Sequence, residues 1–297
     1  MAVESILFIV NPISGGKDKQ RILALIEKLL DRERFRYEIR PTEYAGHGIE
    51  LARASKADIV VAVGGDGTVS EVAQGLAGAP DKALGIIPCG SGDGLALHLG
   101  ISRRPKKAIR QLNRSETAVM DYGTVEGHPF FCTTGVGMDA DVAWAFAKSG
   151  KRGLKTYVAK TLAVWRHFKP DTYRIEVDGK VHTMPATFVT VANVNQWGNN
   201  AVIAPEASVR DGQFDVTVLH PFTLWDVPAL GIRLFLRRFT RARKVTSLRG
   251  RNIVLQRSSA APAHFDGDPI EMGTTLHIAM HEAAVRVRVP EGRAEKI

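Results

Sequence analysis

The sequence predicts two domains of different class, a doubly wound α/β domain followed by an antiparallel β domain. Between residues 5 and 99, four apolar runs are each followed by a polar or glycine-rich loop and then by a helical pattern. This alternation is typical of a parallel sheet covered by helices. Beyond residue 124 strand candidates are numerous and few helical patterns separate them, which favours a β-sandwich or a partial barrel. A length of 297 residues and a hydrophobic fraction of 44% suit two globular domains.

The first two units open the predicted α/β domain. Residues 5–10 are an apolar, buried-type strand, and a polar loop begins at Asn11. Apolar residues then recur at helical spacing over residues 22–30. Residues 35–40 predict the second strand and residues 49–54 the second helix.

The third unit is the most informative stretch of the chain. Residues 58–63 form an almost unbroken apolar run, as expected for a strand buried on both faces. Residues 64–67 read Gly-Gly-Asp-Gly, which lets the backbone turn sharply and approach a ligand. Thr68 followed by Glu71 predicts a capping box, so we expect a helix to start at Thr68. Two interpretations stay open: a phosphate-binding loop at a helix N-terminus, or a tight turn that binds nothing.

A fourth unit repeats this order, with a strand at 83–87, a glycine-rich loop at 88–94 and a helix at 95–99. Ligands of doubly wound sheets bind at the carboxyl ends of the strands. The loops expected at those ends contain Asn11, Thr42, Gly64–Thr68 and Gly90–Asp93. We therefore predict that four loops, separated in sequence, meet at one crevice.

The character of the chain changes after a basic helix predicted at 103–114. Helices are predicted at 139–146 and 156–168, and strands at 119–125, 129–134, 173–177, 181–183, 188–193, 214–219, 252–256, 275–280 and 284–289. We expect the first domain to comprise residues 1–124 and the second residues 125–281. The last residues, 282–297, are expected to pack back on the first domain.

The composition of the chain indicates which classes of partner and which cellular compartment to expect. Forty Lys and Arg against 31 Asp and Glu give a formal charge of +9, which suits an anionic partner such as a nucleotide, a nucleic acid or an acidic membrane. Cys89 and Cys132 are expected to be free thiols in a reducing cytoplasm. The N-terminus predicts a strand rather than a signal peptide. No apolar run reaches the roughly 18–20 residues of a membrane span, so we expect any membrane contact to be peripheral.

Several common catalytic motifs do not occur in this sequence. It has no GxxxxGK[ST] loop, no GxGxxG dinucleotide fingerprint and no G-x-S-x-G elbow. What remains is a set of carboxylates in glycine-rich turns: Asp66, Asp93, Asp139, Asp141, Asp211, Asp266 and Asp268. Simple structural roles stay open for several of them, such as hairpin turns at Asp266 and Asp211 and helix capping by Asp139 and Asp141.

Residues 221–251 combine apolar and basic side chains. Leucines, phenylalanines and a tryptophan interleave there with arginines, a pattern typical of amphipathic helices at anionic membrane interfaces. A core-packed helix with a solvated basic edge would show the same pattern. Nucleic-acid binding is disfavoured because aliphatic rather than stacking aromatic side chains accompany the basic residues.

Six motifs are spread in order over nearly the whole chain. They are Asn11-Pro12…Gly15-Gly16, Gly64-Gly65-Asp66-Gly67-Thr68, Pro88…Gly90-Ser91-Gly92, Gly135-Val136-Gly137-Met138-Asp139-Ala140, Ala204-Pro205…Asp211-Gly212 and Asp266-Gly267-Asp268. Together they resemble the diacylglycerol kinase catalytic-domain family, which includes soluble bacterial lipid kinases and, more distantly, sphingosine kinases.

The resemblance implies a three-layer α/β nucleotide domain like that of NAD kinases and phosphofructokinases, a C-terminal β-sandwich, and ATP with Mg²⁺ in the cleft between them. It implies that Asp268 is the general base and that Asp66 acts near the phosphates and metal. The implied nucleotide contacts are Asn11, Thr42, Gly64, Gly65, Asp66, Gly67, Thr68, Val69, Ser70, Gly90 and Ser91. The candidate substrate contacts are Asp93, Asp139 and Asp141, and a structural Mg²⁺ maps to Ser208, Asp211 and Gln213.

Two positions depart from the family pattern. The family usually has Asn at the position of Asp93, and a carboxylate beside a phosphate should weaken ATP binding unless Mg²⁺ or a basic side chain compensates. Candidate cations are Lys17 and the basic residues of 103–107, which could equally form a solvated face. The family usually has Glu at the position of Asp268. The aspartate side chain is one methylene shorter, which changes its reach to the acceptor hydroxyl by more than about an ångström, and proton transfer is sensitive at that scale.

Three functional hypotheses follow. The leading one is an ATP- and Mg²⁺-dependent lipid kinase that phosphorylates a lipid hydroxyl and contacts the membrane peripherally, with residues 221–251 as the first candidate surface. The second is a kinase for a soluble acceptor such as NAD, because the nucleotide loops resemble those of NAD kinases. The third is a non-catalytic nucleotide- or lipid-binding regulator. The oligomeric state stays open, with a homodimer as one alternative.

Overall fold

A computed structural model describes residues 3–14, 18–149 and 154–297. The chain divides into two compact units. The first comprises Met1–Asp121 and Glu282–Ile297, and the second comprises Tyr122–His281.

The elements of the first unit, in chain order, are β1 (Glu4–Val10), α1 (Lys19–Leu29), β2 (Phe35–Pro41), α2 (His47–Ala54), β3 (Ile59–Gly64), α3 (Asp66–Leu76), β4 (Ala83–Pro88), α4 (Gly94–His98) and α5 (Pro105–Asn113). Those that follow are β5 (Ser115–Val125), β6 (His128–Phe130), β7 (Thr133–Gly137), α6 (Met138–Ala147), α7 (Leu154–Trp165), β8 (Asp171–Val177), β9 (Lys180–Ala186), β10 (Phe188–Ala192), β11 (Phe214–Leu219), α8 (Val227–Phe235), β12 (Val245–Gly250), β13 (Asn252–Gln256), β14 (Ala261–Phe265), β15 (Asp268–Met272) and β16 (Thr275–Pro290). Short 3₁₀ helices lie at Leu224–Asp226 and Phe239–Arg241.

The first unit is built on a parallel sheet of order β2-β1-β3-β4. The C-terminal part of β16 adds to its β4 edge in parallel register, with Arg286 opposite Ala83. Every residue of β3 and β4 is buried, as expected for strands covered on both faces.

Helices cover this sheet because their apolar residues recur on one side. Ile22 and Ile26 of α1 and Ile109 and Leu112 of α5 share one buried cluster with the strands. Helices α2 and α3 pack on each other and on the strands. The all-parallel connections leave the carboxyl ends of four strands along one edge of the sheet.

The second unit contains two antiparallel sheets. One has the order β12-β11-β10-β7-β14-β15, and the other runs from the N-terminal part of β16 through β13 and β8 to β9. Their inward side chains form one core, to which Val136 and Val189 contribute from the first sheet and Ile175 and Ile253 from the second. The alternation of buried and exposed residues in β8 and β13 is what a sheet with one core face requires.

The predicted fold class, α/β followed by an antiparallel β domain, is confirmed, but several elements differ from the prediction. Residues 275–280 and 284–289 belong to the single strand β16, whose alternation is interrupted where Ala283 has a left-handed backbone (φ 46°). The predicted strand at 129–134 is divided into the end of β6 and the start of β7, with residues 131 and 132 between them. Strands β12, β14 and β15 were not predicted, because arginine, proline and aspartate lower the apparent strand propensity of their sequences.

None of the helices in the described ranges is long and apolar enough to cross a membrane.

Candidate functional site

Four loops lie side by side at the carboxyl edge of the parallel sheet. The Thr42 N–H donates to Val10 O at 2.9 Å, which joins the end of β2 to the end of β1. The Asn11 N–H donates to Val63 O at 3.2 Å, and the Cys89 N–H donates to Gly64 O at 2.7 Å. Because each bond joins the first residue after one strand to the end of its neighbour, the four loops form one continuous rim.

Glycines allow the third and fourth loops to approach each other closely. A Cβ placed on Gly90 would lie 2.8 Å from the Gly65 Cα, and one on Gly64 would lie 2.4 Å from the Thr68 Cβ. Both distances are too short for any side chain. A Cβ on Gly67 would meet no atom of the described chain within 4 Å. The backbone at Gly67 therefore faces open space, where a ligand can approach it.

Helix α3 begins at Asp66 rather than at Thr68, and the predicted capping box is wrong. Its N-cap is Gly65, and no side chain caps the helix. The Glu71 carboxylate instead accepts the N–H groups of Gly46 and Gly48, at 2.9 and 3.0 Å. A helix N-terminus without a side-chain cap is suited to binding an anion.

Asp66 joins the third loop to the fourth. Its two carboxylate oxygens accept the N–H groups of Asp93, at 2.9 Å, and Gly94, at 2.8 Å. Burial, followed by the nearby Asp93 carboxylate, raises the pKa of Asp66 above that of an ordinary aspartate. The side chain therefore fixes the position of the 90–94 loop as well as placing a carboxylate beside the α3 N-terminus.

Asp93 is 3% exposed and adopts a left-handed backbone conformation (φ 53°), which Asp and Asn tolerate better than most residues. Its carboxylate accepts the Gly90 N–H at 2.8 Å and pairs with Arg103 Nε at 3.1 Å. Arg103 also donates to Ser91 O at 2.8 Å. The basic side chain that the sequence required to compensate Asp93 is therefore Arg103.

The turn before Asp268 is held by the preceding aspartate. The Asp266 carboxylate accepts the N–H groups of Phe131, Cys132 and Thr133, at 2.9, 2.7 and 3.2 Å. Asp266 and Gly267 both have positive φ, 51° and 88°, as a two-residue hairpin turn requires. Asp268 is the exposed first residue of β15. The hairpin interpretation is thus confirmed for Asp266, and the same turn orients Asp268.

Asp139 lies in a buried polar group of the second unit. Its Oδ2 accepts the Thr190 hydroxyl at 2.7 Å and lies 3.3 Å from His264 Nε2, while Oδ1 accepts the Ala140 N–H at 2.8 Å. Burial and the charge of Asp139 raise the pKa of the half-buried Asp141. Contact of either carboxylate with substrate stays a prediction.

The predicted metal ligands lie in one loop of the second unit. The Asp211 carboxylate accepts the Gln213 N–H at 3.0 Å and pairs with the Arg249 guanidinium. The Ser208 hydroxyl oxygen accepts the Arg210 N–H at 3.3 Å. These oxygens suit Mg²⁺ chemically, but a cation there must share Asp211 with Arg249.

The structure thus brings the nucleotide-contact candidates of the first unit together: Asn11, Thr42, Gly64, Gly65, Asp66, Gly67, Thr68, Val69, Ser70, Gly90 and Ser91, with Asp93 beside them. Asn11 Oδ1 accepts the Ile13 N–H at 3.1 Å. Lys17, Gly15 and Gly16 lie outside the described residues. The roles of Glu71 and Asp266 as anchors were missed, because their partners lie far away in the sequence.

Comparison with known proteins identifies the family. A family model described as the diacylglycerol kinase catalytic domain matches residues 5–125. A second, the YegS C-terminal NAD kinase beta sandwich-like domain, matches residues 132–288, more than half of the chain. The chain belongs to the diacylglycerol kinase catalytic-domain family.

Similar sequences and structures span nearly the whole chain. A Bacillus subtilis protein named diacylglycerol kinase is 25% identical over 97% of both chains, and one of the same name from Staphylococcus haemolyticus is 28% identical over 73% of this chain and 67% of its own. A crystal structure of a diacylglycerol kinase from Bacillus anthracis superimposes with a TM-score of 0.77, at 19% identity and 99% coverage of both chains. An Archaeoglobus fulgidus NAD kinase in complex with ATP gives 0.57 at 16% identity, covering 98% of this chain and 96% of its own. At these identities the two structures show the fold.

Proposed function

We propose that this member of the diacylglycerol kinase family transfers the γ-phosphoryl group of ATP to a lipid hydroxyl, such as that of diacylglycerol or a sphingoid base. The observation that carries the proposal is the rim of four loops, in which the Gly67 backbone is open and Asp66 ties two loops together. Phosphoryl transfer depends mainly on positioning and charge neutralisation, and such a rim supplies both.

In this proposal the first unit binds the nucleotide. The amides at the start of α3 and of the Gly64–Thr68 loop donate to phosphate oxygens, as helix N-termini commonly do. The other candidate contacts of the rim, from Asn11 to Ser91, surround the same point. Arg103 balances the charge of Asp93, so that the aspartate does not repel the triphosphate.

Magnesium is expected to accompany the triphosphate. Mg²⁺ bound to nucleotides usually takes phosphate oxygens, water and one or two carboxylates. Asp66 fits such a partner, because a carboxylate has about four acceptor sites and the N–H groups of Asp93 and Gly94 occupy two of them. The metal supplies neutralisation of phosphate charge. A second Mg²⁺ at Ser208, Asp211 and Gln213 stays a prediction, and it competes with Arg249 for Asp211.

Asp268 is proposed to accept the proton of the attacking hydroxyl. The oxygen of the lipid forms a bond to the γ-phosphorus, the bond from that phosphorus to the β,γ-bridging oxygen breaks, and the proton passes to the Asp268 carboxylate. The products are a phosphorylated lipid and ADP. The backbone bonds of Asp266 hold the turn that carries Asp268, so the base keeps a defined position.

The test is label transfer from ATP labelled at the γ-phosphate to a panel of lipids with Mg²⁺. We expect Asp268→Asn to lower kcat at least about a hundredfold, the usual scale for a general base, while ATP binding is retained. Asp268→Glu should keep substantial activity, because it retains the carboxylate. Asp171→Asn, far along the chain in β8, serves as a control for a generic loss of an aspartate.

Two alternatives give different results in the same assay. The fold shared with an NAD kinase motivates a soluble acceptor, and labelling of NAD without any labelling of lipid would establish it. A regulator would bind ATP or lipid, label nothing, and be indifferent to Asp268→Asn. Either result would refute the proposed lipid kinase activity.

A further inference from the structure

Six large apolar side chains are exposed within a short stretch of the second unit. Trp225 is 90% exposed, and the others are between 40% and 61% exposed. The set, called the α8 surface here, consists of Leu224, Trp225, Val227, Ile232, Phe235 and Leu236. Soluble monomers rarely leave so many large apolar side chains together in water without a function.

Helix α8 has two different apolar faces. Leu230 and Leu234, four residues apart, pack towards a buried cluster of the second unit. Ile232, Phe235 and Leu236 are three and four residues apart and therefore share another face, which is exposed. A helix that only packs on the core needs the first face alone, so the second face requires a separate explanation.

Exposed arginines surround this apolar face. Residues 221–251 contain eight Arg and Lys and one acidic residue, Asp226. The Asp226 carboxylate is occupied as a helix cap by the Thr223 N–H and hydroxyl, at 2.8 and 2.9 Å. Arg233, Arg237 and Arg238 are exposed, and within the described part of the chain none of the three forms an ion pair with an acidic side chain. The α8 surface is therefore apolar at its centre and strongly positive around it.

The end of the helix places the arginines beside the apolar face. Arg237 adopts a left-handed backbone conformation (φ 59°), and the Arg238 N–H donates to Arg233 O at 2.8 Å. This is the bonding pattern that stops a helix by a tight reversal. The helix consequently ends at Phe235 and Leu236, and Arg237 and Arg238 lie in the turn that follows these two apolar residues.

We propose that the α8 surface binds the interfacial region of an anionic lipid bilayer. Apolar side chains with tryptophan enter the boundary between headgroups and acyl chains, and arginines reach the lipid phosphates. A second copy of the chain does not fit as the occupant. A two-fold interface brings the same surface of both copies together, so the arginines of one copy would face those of the other. The proposal extends the proposed function, since a lipid kinase must reach its acceptor in a bilayer, but the binding itself requires no catalysis.

The test is binding of the full chain to vesicles without nucleotide or acceptor lipid. Vesicles of equal parts phosphatidylcholine and phosphatidylglycerol are compared with vesicles of phosphatidylcholine alone by sedimentation. We expect binding to the anionic vesicles, weakened by salt. Trp225 fluorescence should shift to shorter wavelength on binding, and Trp225→Phe should remove most of that shift while binding persists.

Two double variants separate the apolar from the charged contribution. Ile232→Glu with Phe235→Glu should lower the partition coefficient at least about tenfold, because two apolar contacts become charged. Arg237→Glu with Arg238→Glu should lower it by more than about thirtyfold, because the loss of each basic residue near an anionic surface costs roughly fivefold and the introduced glutamates are repelled. Matched controls are Val181→Glu on β9, whose side chain is 46% exposed, and Arg53→Glu on α2. Both should bind as the unaltered chain does.

Three results would overturn the proposal. One is equal binding of all variants, and another is no binding of the unaltered chain to anionic vesicles. The third is a concentration-dependent dimer of the unaltered chain that is absent in the Ile232→Glu, Phe235→Glu variant and present in the others. That result would assign the surface to a protein interface. Unchanged circular dichroism and melting temperature establish that the variants are folded. Vesicle binding without lipid phosphorylation would refute the proposed function and leave this inference standing.

Discussion

The pair of Asp93 and Arg103 offers a quantitative test of how the nucleotide rim is held. The Asp93 side chain is 1% exposed in the intact pair, and Arg103→Ala removes the guanidinium that lies 3.1 Å away. Breaking a buried pair costs about 3–5 kcal/mol, whereas an exposed pair contributes less than about 1 kcal/mol. Because the Arg103 side chain is 37% exposed, we expect an intermediate loss of about 2 kcal/mol in the free energy of unfolding.

A compensating substitution makes this prediction specific. Asp93→Asn removes the charge but keeps an oxygen that accepts the Gly90 N–H, and Asn tolerates the left-handed backbone there. We therefore expect Asp93→Asn to rescue Arg103→Ala, with a coupling energy of about 1–1.5 kcal/mol in a double-mutant cycle. Urea denaturation measures the cycle, and Arg104→Ala, an exposed neighbour, is the control.

Nucleotide affinity should follow the same pattern. An unpaired carboxylate beside the rim should weaken ATP binding about tenfold in Arg103→Ala, equivalent to about 1.4 kcal/mol. Asp93→Asn should restore it, and isothermal titration calorimetry gives both values. The double variant Arg103→Ala, Asp93→Asn decides the matter. If its loss of free energy equals the sum of the two single losses within about 0.5 kcal/mol, the guanidinium does not compensate Asp93 and the reasoning is refuted.

Three further predictions concern other carboxylates. Asp266→Ala should lower the free energy of unfolding by about 2–4 kcal/mol, because three backbone N–H groups lose their acceptor; denaturation and label transfer check it, and full activity would contradict it. The pKa of Asp66 is raised in the folded protein, so its contribution to stability is present below the unfolded pKa and is lost as pH rises through the folded value. Asp66→Asn should remove this loss of stability with rising pH. The pKa of Asp58 is lowered by hydrogen bonds from Ser5, so its contribution to stability is lost as pH falls, and Asp58→Asn should remove that loss. The free energy of unfolding, measured against pH for both variants, checks the two assignments. The same dependence on pH in both variants would contradict them.

The sequence was sufficient to predict those parts of the structure that depend on a local pattern of residues. Strand β3 was predictable because its apolar run suits a strand buried on both faces, and the following glycines indicated a sharp turn. The convergence of four loops was predictable from the alternation of strands and helices, because parallel strands end along the same edge. These features require no knowledge of which side chains touch.

Contacts between residues far apart in sequence were not predictable in the same way. Thr68 and Glu71 have the spacing of a capping box, but Glu71 finds the Gly46 and Gly48 amides of another loop. The tertiary bonds outcompete the local cap, so the helix begins two residues earlier. Strand β15 was missed for a related reason: it contains Pro269 and lies at the edge of its sheet, where proline is tolerated.

Three aspartates of the predicted site hold backbone N–H groups, and Asp268 differs from these three in being exposed. Asp66, Asp93 and Asp266 each accept backbone N–H groups from another part of a loop or strand, and each sits beside a glycine in the sequence. Asp268 begins a strand two residues after Asp266 and is exposed. A general base must come within hydrogen-bond reach of the proton that it takes, and an exposed carboxylate on a fixed turn is accessible to a substrate hydroxyl. The exposure of Asp268 is what the proposed base requires, and the backbone bonds of Asp266 hold the turn that carries it.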